Sequence, residues 1–350
     1  MKTVLVTGAG GNASQNFLRS IHGFRLVGVD MSPYHLATSR LDARYLIGRS
    51  DSPDYVDELN AIIDVEGVDF LHAQPDVEVE CISQNREAIH AQTFLPPHES
   101  IVLCHNKYQT NQRLKEKGIP VPKSFLVERI EDIPDMLSEF RTEKAWLRAV
   151  RGAGSRAALP VKTKRQAEEW IHYWRANRSL ESKDFMLSEF LPGKEYAFQS
   201  LWMHGALVCS AARERMEYMF GNIMPSGQSS SPSIARSVHN QAVNKTAVRA
   251  IMATGHQDGI YCVDLKEDAD GVPCVTEINI GRFFTTSNFF TEAGCNMPQI
   301  YLELGMGGEI PQMPRYDCVP ENLYWVRGVD REPRMFREEE FVASYVKEHA

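Results

Sequence analysis

The chain has 350 residues, of which 43% are hydrophobic and 24% charged, and this composition is typical of a globular protein with room for two or three domains. A formal net charge of −8 argues against a protein whose main task is sequence-independent binding of nucleic acid, because that task requires a basic surface. No run approaches the ~20 apolar residues of a membrane span, so we expect neither nucleic acid nor membrane as a partner.

Strand and helix patterns alternate over the first hundred residues. A buried strand over 3–6 leads through the glycine-rich turn TGAGGNASQN (7–16) into a helix over 12–21, and a second strand ends near Asp30. A further strand in VDFLHAQPD (68–76) ends in a polar turn. This βαβαβ order predicts a parallel, doubly wound sheet.

The pattern changes near residue 105. The predicted elements are a helix over 106–117, a strand–hairpin–strand unit over 145–163, a helix over 165–177, strands over 185–218 with a turn at His204-Gly205, a flexible loop over 224–234, a helix over 243–254, a hairpin over 259–281 that turns at 268–271, a strand over 322–329 and a polar terminal helix.

Helix boundaries follow from capping residues. Ser52 and Pro53 are expected to begin one helix, with the serine as N-cap and the proline in the first turn. Gly118 and Gly255 are expected to end two others.

The seven cysteines are scattered, odd in number and never spaced as CxxC. Their pattern indicates neither a disulfide framework nor a zinc site, and it favours a reducing compartment. We therefore expect a cytoplasmic protein.

The hairpin CVDLKEDADGVPCVTEIN carries the strongest chemical signal. Glu277 and Asn279 project from one face of a strand, and Asp264 lies beside them on the partner strand. Two carboxylates and an amide oxygen are hard donors that suit Mg²⁺. The alternative is a solvated acidic hairpin, but the apolar residues around Glu277 weigh against it.

A second candidate is the segment LRAVRGAGSRAAL. Glycines and a serine in its turn leave backbone N–H groups free for phosphate oxygens, and arginines surround them. An unliganded basic hairpin is an equally good interpretation of this segment alone. The residues concerned are Arg148, Arg151, Gly152, Gly154, Ser155 and Arg156.

Two further candidates are weaker. In SEFLPGKEYAF, Glu189, Leu191 and Glu195 join two strands and could present a backbone edge to adenine and a carboxylate to ribose, but two exposed glutamates at a turn are the better interpretation of this segment alone. Arg213 and Arg215 share one strand face and could clamp a phosphate or carboxylate, or belong to a salt-bridged sheet.

These four segments, in this order and preceded by NKYQTNQRLKEKGIPVPKSF, resemble the ATP-grasp superfamily, in the branch related to the carbamoyl-phosphate synthase large subunit. The resemblance covers about residues 1–310. It implies an α/β protein with a Rossmann-like parallel-sheet domain (1–104) before an ATP-grasp fold (105–310), in which two α+β subdomains sandwich ATP. We expect the lid subdomain at about 145–202 and a C-terminal strand and helix (311–350) packed on the core.

The resemblance also implies roles for individual residues. Lys107, Arg148 and the loop residues Gly152, Gly154, Ser155 and Arg156 would contact the nucleotide phosphates, Glu189 and Leu191 the adenine, and Glu195 the ribose. Asp264, Glu277 and Asn279 would be the magnesium ligands, Arg215 would lie near the terminal phosphate, and Arg282 would stabilise the acyl-phosphate stage.

Two positions depart from the family pattern. Arg148 stands where the family usually has a lysine, which keeps the charge but changes its geometry. Arg282 follows Asn279 by three residues, where two are expected in most of this branch.

The implied function is an ATP- and Mg²⁺-dependent carboxylate–amine ligase, with Mn²⁺ as a substitute metal. It would act through an acyl phosphate on a small-molecule acid of the amino-acid or sugar-acid type. The family makes a homodimer plausible.

Two alternatives remain at this stage. An NAD(P)-dependent oxidoreductase would use the turn at 7–16, with Asp30, 22 residues after Gly8, on the ribose. Against it, Ala13 and Ser14 stand where the last glycine of the fingerprint belongs, and no Tyr-x-x-x-Lys pair follows. The other alternative is a non-catalytic ATP-binding protein.

Overall fold

The computed structural model describes residues 1–152, 157–229, 231–329 and 331–337. Its helices are Asn12–Ser20 (α1), Pro33–Ala37 (α2), Tyr55–Glu66 (α3), Asp76–Gln84 (α4), His98–His105 (α5), Lys107–Glu116 (α6), Ile133–Ser138 (α7), Lys164–Arg178 (α8), Gln241–Met252 (α9), Asn288–Glu292 (α10) and Met297–Gly305 (α11). Among the described residues, no helix is both long and apolar enough to cross a membrane.

The first sheet is parallel and consists of Thr3–Thr7 (β1), Arg25–Asp30 (β2), Ala43–Leu46 (β3) and Phe70–His72 (β4), in the order β3-β2-β1-β4. All five residues of β1 are buried. Leu5 packs into one hydrophobic core while Val4 and Val6 pack into another. Such burial on both faces is the expected state of a central parallel strand.

The second sheet is small and antiparallel. It consists of Ser124–Leu126 (β5), Ala145–Ala149 (β6), Leu159–Val161 (β7) and Phe185–Glu189 (β8), in the order β5-β8-β6-β7. It has a core of its own, in which residues of α7 and α8 pack on the strands. The predicted antiparallel pairing of β6 with β7 is present. β5, which precedes the expected lid range of about 145–202, is also part of this sheet.

The third sheet is antiparallel and has the order β13-β12-β9-β10-β11-β14-β15. Its strands are Glu195–Met203 (β9), Ala206–Tyr218 (β10), Pro232–Val238 (β11), Gly259–Glu267 (β12), Pro273–Ile280 (β13), Leu323–Gly328 (β14) and Arg331–Arg337 (β15). The strand from Glu195 thus joins this sheet and not the small one. The expected terminal helix lies outside the described residues.

Two local predictions are wrong. α3 begins at Tyr55 with Asp54 as N-cap, because the backbone turns at Ser52, whose carbonyl accepts the N–H of Tyr55 at 3.2 Å. The end of the expected flexible loop is β11, a strand paired with β10 on one side and β14 on the other. Hydrogen bonding on both edges holds this serine- and proline-rich segment extended.

Three cysteines distant in sequence lie together in the fold. The sulfur atoms of Cys209, Cys295 and Cys318 are within 4.8 Å of one another, and all seven cysteines are free thiols. Their spacing along the chain gives no sign of this cluster, because the fold brings the three sulfur atoms together.

Candidate nucleotide and metal site

The acidic cluster of the β12–β13 hairpin is at the centre of the site. Asp264 and Glu277 are direct cross-strand partners, and Asn279 follows two residues later on the same face. The Asn279 amide donates to Asp264 Oδ2 at 3.1 Å. The period-2 pattern of the two strands thus places all three oxygen-bearing side chains in one patch.

Cationic side chains from other elements point into this patch. Lys107 Nζ lies 3.2 Å from Glu277 Oε1, and it donates to the Gly152 carbonyl at 2.6 Å. Arg148 on β6 lies 4.0 Å from Glu277 Oε2 and donates to the Thr276 carbonyl at 2.6 Å. Both side chains are buried or nearly so, Lys107 with 9% of its side chain exposed.

Arg215 connects the acidic cluster to the next group of residues. Its guanidinium donates to Asp264 Oδ1 at 2.5 Å and to Glu195 Oε1 at 3.3 Å. Burial lowers the pKa of Arg215, but the carboxylates of Asp264 and Glu195 outweigh that effect, and the net shift is upward. Arg215 therefore stays charged in the site.

The carboxylates of the site lie close together and out of water, which disfavours their ionised forms. Burial raises the pKa of Asp264, and the neighbouring carboxylates of Glu277 and Glu195 raise it further, while Arg215 opposes them. Carboxylates brought together out of water favour a bound cation. Two carboxylates and an amide, all oxygen donors, fit Mg²⁺ by their chemistry.

A pocket adjoins this cluster on the side of the small sheet. Trp146, Phe190 and Leu191 supply apolar walls, and Arg148, Glu195 and Lys266 line the same cavity. Such a mixture of flat apolar surface and a few polar groups suits a nucleobase and its sugar. Glu189 also lines it, although its carboxylate faces Arg141 at 3.3 Å.

Glu195 is held by several donors. Gln228 donates to its Oε2 at 2.8 Å, Lys266 Nζ lies 3.3 Å from the same oxygen, and the Tyr218 hydroxyl donates to Oε1. Sequence reasoning missed these three neighbours. The position of Lys266 could have been predicted from the sequence, because it stands two residues after Asp264 and therefore lies on the same face of the strand.

Arg282 lies at the junction with the N-terminal domain. Its guanidinium forms an ion pair with Asp76 at the start of α4, with Nη2 3.2 Å from Oδ2, and it also donates to Asn279 Oδ1. The extra residue before it is accommodated by Gly281, which turns the chain with a φ of +72°. Arg282 thus reaches Asn279 despite the unusual spacing.

Three residues of the expected lid loop, Gly154, Ser155 and Arg156, lie outside the described residues. Gly152 is described and adopts a φ of +100°, a conformation that favours glycine.

The N-terminal glycine turn is explained by packing. A Cβ on Gly8 would lie 2.4 Å from the Pro75 ring, and one on Gly10 would lie 2.5 Å from the His35 Cβ. The Asp30 carboxylate accepts the Gly10 N–H at 2.9 Å. Asp30 is therefore engaged in holding the turn closed.

Comparison with known proteins identifies a related domain. Residues 104–286, which include the hairpin and the pocket, match the model of the ATP-grasp domain family. No curated protein matches the chain.

Solved structures share the fold at low sequence identity. An L-amino acid ligase from Bacillus licheniformis superposes with a TM-score of 0.71 at 13% identity, covering 93% of this chain and 79% of that one. An N5-carboxyaminoimidazole synthetase from Staphylococcus aureus, complexed with ADP, gives 0.70 at 13%, covering 99% and 86%. A biotin carboxylase from Campylobacter jejuni, in complex with an ATP analogue, gives 0.70 at 16%, covering 93% and 74%. The predicted order of a Rossmann-like domain followed by an ATP-grasp fold is confirmed.

Proposed function

The chain belongs to the ATP-grasp family, and from that premise we propose that it is an ATP- and Mg²⁺-dependent ligase that joins a small-molecule carboxylate to an amine. The observation that carries the proposal is the convergence of Lys107, Arg148 and Arg215 on the paired carboxylates Asp264 and Glu277. This arrangement supplies both the oxygen donors for a metal and the cations for phosphates.

In the proposed reaction, a carboxylate oxygen attacks the γ-phosphorus of ATP and the bond to the β-phosphate breaks, giving an acyl phosphate and ADP. The amine then attacks the acyl carbon, inorganic phosphate leaves, and the proton of the amine passes to solvent. Phosphoryl transfer depends mainly on positioning and charge neutralisation. No covalent protein nucleophile is needed.

Each cluster has a part in this scheme. Asp264, Glu277 and Asn279 would hold Mg²⁺, with Mn²⁺ as a substitute, and the metal would supply positive charge to the phosphate oxygens. Lys107, Arg148 and Gly152, with the loop residues Gly154, Ser155 and Arg156, would bind the phosphates. Glu189 and Leu191 would take adenine, and Glu195 would take the ribose. Arg215 and Arg282 would stabilise charge on the transferred group.

The oxidoreductase alternative is less well supported. Its ribose-binding residue would be Asp30, whose carboxylate is occupied by the N–H groups of Gly10 and Ser32 at 2.9 Å each. A pyrophosphate at this turn would also have to displace His35, which packs on Gly10. We therefore favour a packing role for the glycines.

The non-catalytic alternative is separated from the ligase by experiment. Purified protein is screened for ADP release with a panel of acids and amines, and thermal unfolding is followed with Mg-ATP and with NAD(P). A ligase is stabilised by Mg-ATP, and not by NAD(P), and releases ADP with at least one acid–amine pair.

The Glu277→Gln variant removes one metal ligand without changing its shape, and we expect it to lower the rate of ADP release by about 100-fold or more. Glu143→Gln, at a side chain that is 90% exposed, is the control and should be neutral. The non-catalytic alternative would be favoured if the protein bound ATP but released no ADP with any acid–amine pair, and if neither substitution changed ATP binding. Homodimerisation stays a prediction, checked by sedimentation.

A further inference from the structure

Arg213 is buried and forms no salt bridge with any residue that the structure describes. Its residue is 1% exposed, and its Nε and Nη1 atoms have no hydrogen-bond partner among the described residues. The guanidinium lies 5.1 Å from the ring centroid of Phe284 and 5.2 Å from that of Phe290. A buried charge that has no ion pair and leaves N–H donors unsatisfied is expensive to maintain, so its presence calls for an explanation.

The register of the large sheet places Arg213 beside the proposed phosphate site. Glu277, Asp264, Ala197 and Arg213 are successive cross-strand partners on β13, β12, β9 and β10. Ala197 separates the arginine from the metal ligands and has only a methyl group. A ligand group at Arg213 would therefore lie in the same row as the atoms proposed to hold the metal.

A second cation faces the same region. Arg327 on β14 donates to the carbonyls of Pro232 at 2.9 Å and Thr285 at 3.1 Å, while its buried Nη2 has no partner among the described residues. Burial lowers the pKa of Arg213 to about 9, and repulsion from Arg215 and Arg327 contributes to this shift. Arg327 is held at Thr285, the residue next to Phe284, whose ring packs on Arg213.

The segment 284–287 packs against Arg213 through Phe284 and carries neutral donors. The hydroxyl groups of Thr286 and Ser287 are fully buried and have no partner among the described residues. Two cations and two hydroxyls, all with unused hydrogen-bonding capacity, are what a carboxylate or phosphate group requires.

We propose that Arg213, together with Arg327, binds an anionic group of the substrate, a carboxylate or a phosphate, that is not the carboxylate activated by ATP. The substrate class is then an acid with a second negative group, such as an acidic amino acid, another dicarboxylate or a phosphorylated acid. This inference rests on the proposed ligase function, because it places the second group next to the phosphoryl-transfer site.

The variants for the test are Arg213→Met, which keeps the length without the charge, and Arg213→Lys, which keeps the charge. Without ligand, Arg213→Met should be at least as stable as the wild type, since it removes an unpaired buried charge. The matched control is Arg236→Met on neighbouring β11, where the arginine pairs with Glu214 at 2.7 Å. That variant should be less stable, because it leaves the carboxylate of Glu214 unpaired.

Binding is then measured by thermal unfolding with saturating Mg-AMPPNP, which occupies the nucleotide site. The probes are succinate, neutral succinamide and inorganic phosphate. We expect succinate or phosphate, and not succinamide, to raise the unfolding temperature of the wild type. The apparent affinity should fall at least tenfold in Arg213→Met and partly recover in Arg213→Lys. Stronger protection by succinate assigns a carboxylate, and stronger protection by phosphate assigns a phosphoryl group.

Two results would overturn this inference while leaving the ligase intact. One is protection by anions that is unchanged in Arg213→Met, and the other is a wild type that Mg-AMPPNP stabilises but that no anion stabilises further. Failure of Mg-AMPPNP itself to stabilise the wild type would instead reject the proposed function.

Discussion

Asp76 and Arg282 are 206 residues apart in sequence and meet in one ion pair. Burial lowers the pKa of Arg282, but the Asp76 carboxylate more than compensates, so the arginine stays protonated. The other ion-pair contact of Asp76 among the described residues is with His105 Nε2, at 3.9 Å. We therefore expect Asp76 to orient Arg282 toward Asn279 and, in the proposed reaction, toward the transferred phosphoryl group.

Asp76→Asn should reduce kcat by roughly 10- to 100-fold, because a small displacement of a transition-state cation is costly. The KM for ATP should change little, since the adenine and ribose contacts are untouched. Steady-state ADP release measures both constants. Asp51→Asn, at a carboxylate that is 68% exposed, is the control. An effect on KM alone would contradict the positioning role.

Glu78 in α4 gives the stability of the protein a pH dependence. Burial raises the pKa of its carboxyl group to about 7, and the nearby Asp30 adds to this, whereas the Thr7 hydroxyl opposes it. In the folded state Glu78 therefore binds a proton that the unfolded chain, with a pKa near 4.5, has already lost. Between these two pKa values, the free energy of unfolding therefore falls as pH rises, because ionising the buried carboxyl group destabilises the folded state.

Glu78→Gln should consequently be more stable than the wild type at pH 8, by at most roughly 3 kcal/mol, and equal to it below pH 4.5. Urea unfolding at several pH values measures the difference, which should grow up to pH 7 and then level off. A difference independent of pH would show that Glu78 has an ordinary pKa.

Some of the site was accessible from residue patterns and some was not. The cross-strand pairing of Asp264 with Glu277 follows from strand alternation, and the register bears out that geometry. The role of Asp76 could not be derived, because no pattern along the chain links it to Arg282. That Arg213 has no ion-pair partner among the described residues could not be foreseen either, since a sequence shows a charge but not what lies around it.

At the scale of elements, the cap of α6 positions a site residue. The Asn106 side chain accepts the Gln109 N–H at 3.0 Å, and Lys107 is the first residue of the helix. Asn106→Ala should cost about 1 kcal/mol of unfolding free energy. It should also weaken Mg-ATP binding, because the first turn of α6, which holds the backbone of Lys107, becomes less ordered.

Thr163→Ala is a matched control, because Thr163 caps α8 in the same way and accepts the Gln166 N–H at 3.3 Å. α8 packs on the small sheet. It should cost similar stability and leave Mg-ATP binding unchanged. Urea unfolding and calorimetric titration separate the two effects. Equal loss of ATP affinity in both variants would argue against the positioning role of α6.

Elements with strong local signals were predictable, and those decided by pairing were not. The β12–β13 hairpin carries its own turn at 268–271 and matches the expectation. β11 has serine and proline where a strand usually has branched residues, and it is extended because β10 and β14 both pair with it. Tertiary pairing overrides propensity in such a segment.

At the scale of the whole molecule, the hydrophobic cores do not follow the boundary between the first and third sheets. Leu5 and Val27 of the parallel sheet share one cluster with Phe198 and Val263 of the large sheet. The small sheet has a separate cluster. We expect the first and third sheets to unfold as one cooperative unit and the small sheet to open more readily.

Hydrogen exchange followed by mass spectrometry tests this arrangement. Amides of β5, β6, β7 and β8 should exchange faster than those of β1 and β12, and Mg-AMPPNP should slow them, because the pocket lies between the small and large sheets. If residues 3–72 exchanged early while the large sheet stayed protected, the first and third sheets would not unfold as one unit.

The shared core and the Asp76–Arg282 pair also constrain how such a chain can be recombined. An exchange of N-terminal domains with another member of the family, cut at the start of α6, would divide one hydrophobic interior and separate an arginine from its carboxylate. A working chimera would have to transfer both sides of that interior together. We therefore expect the first hundred residues to work only together with the half that carries the proposed site.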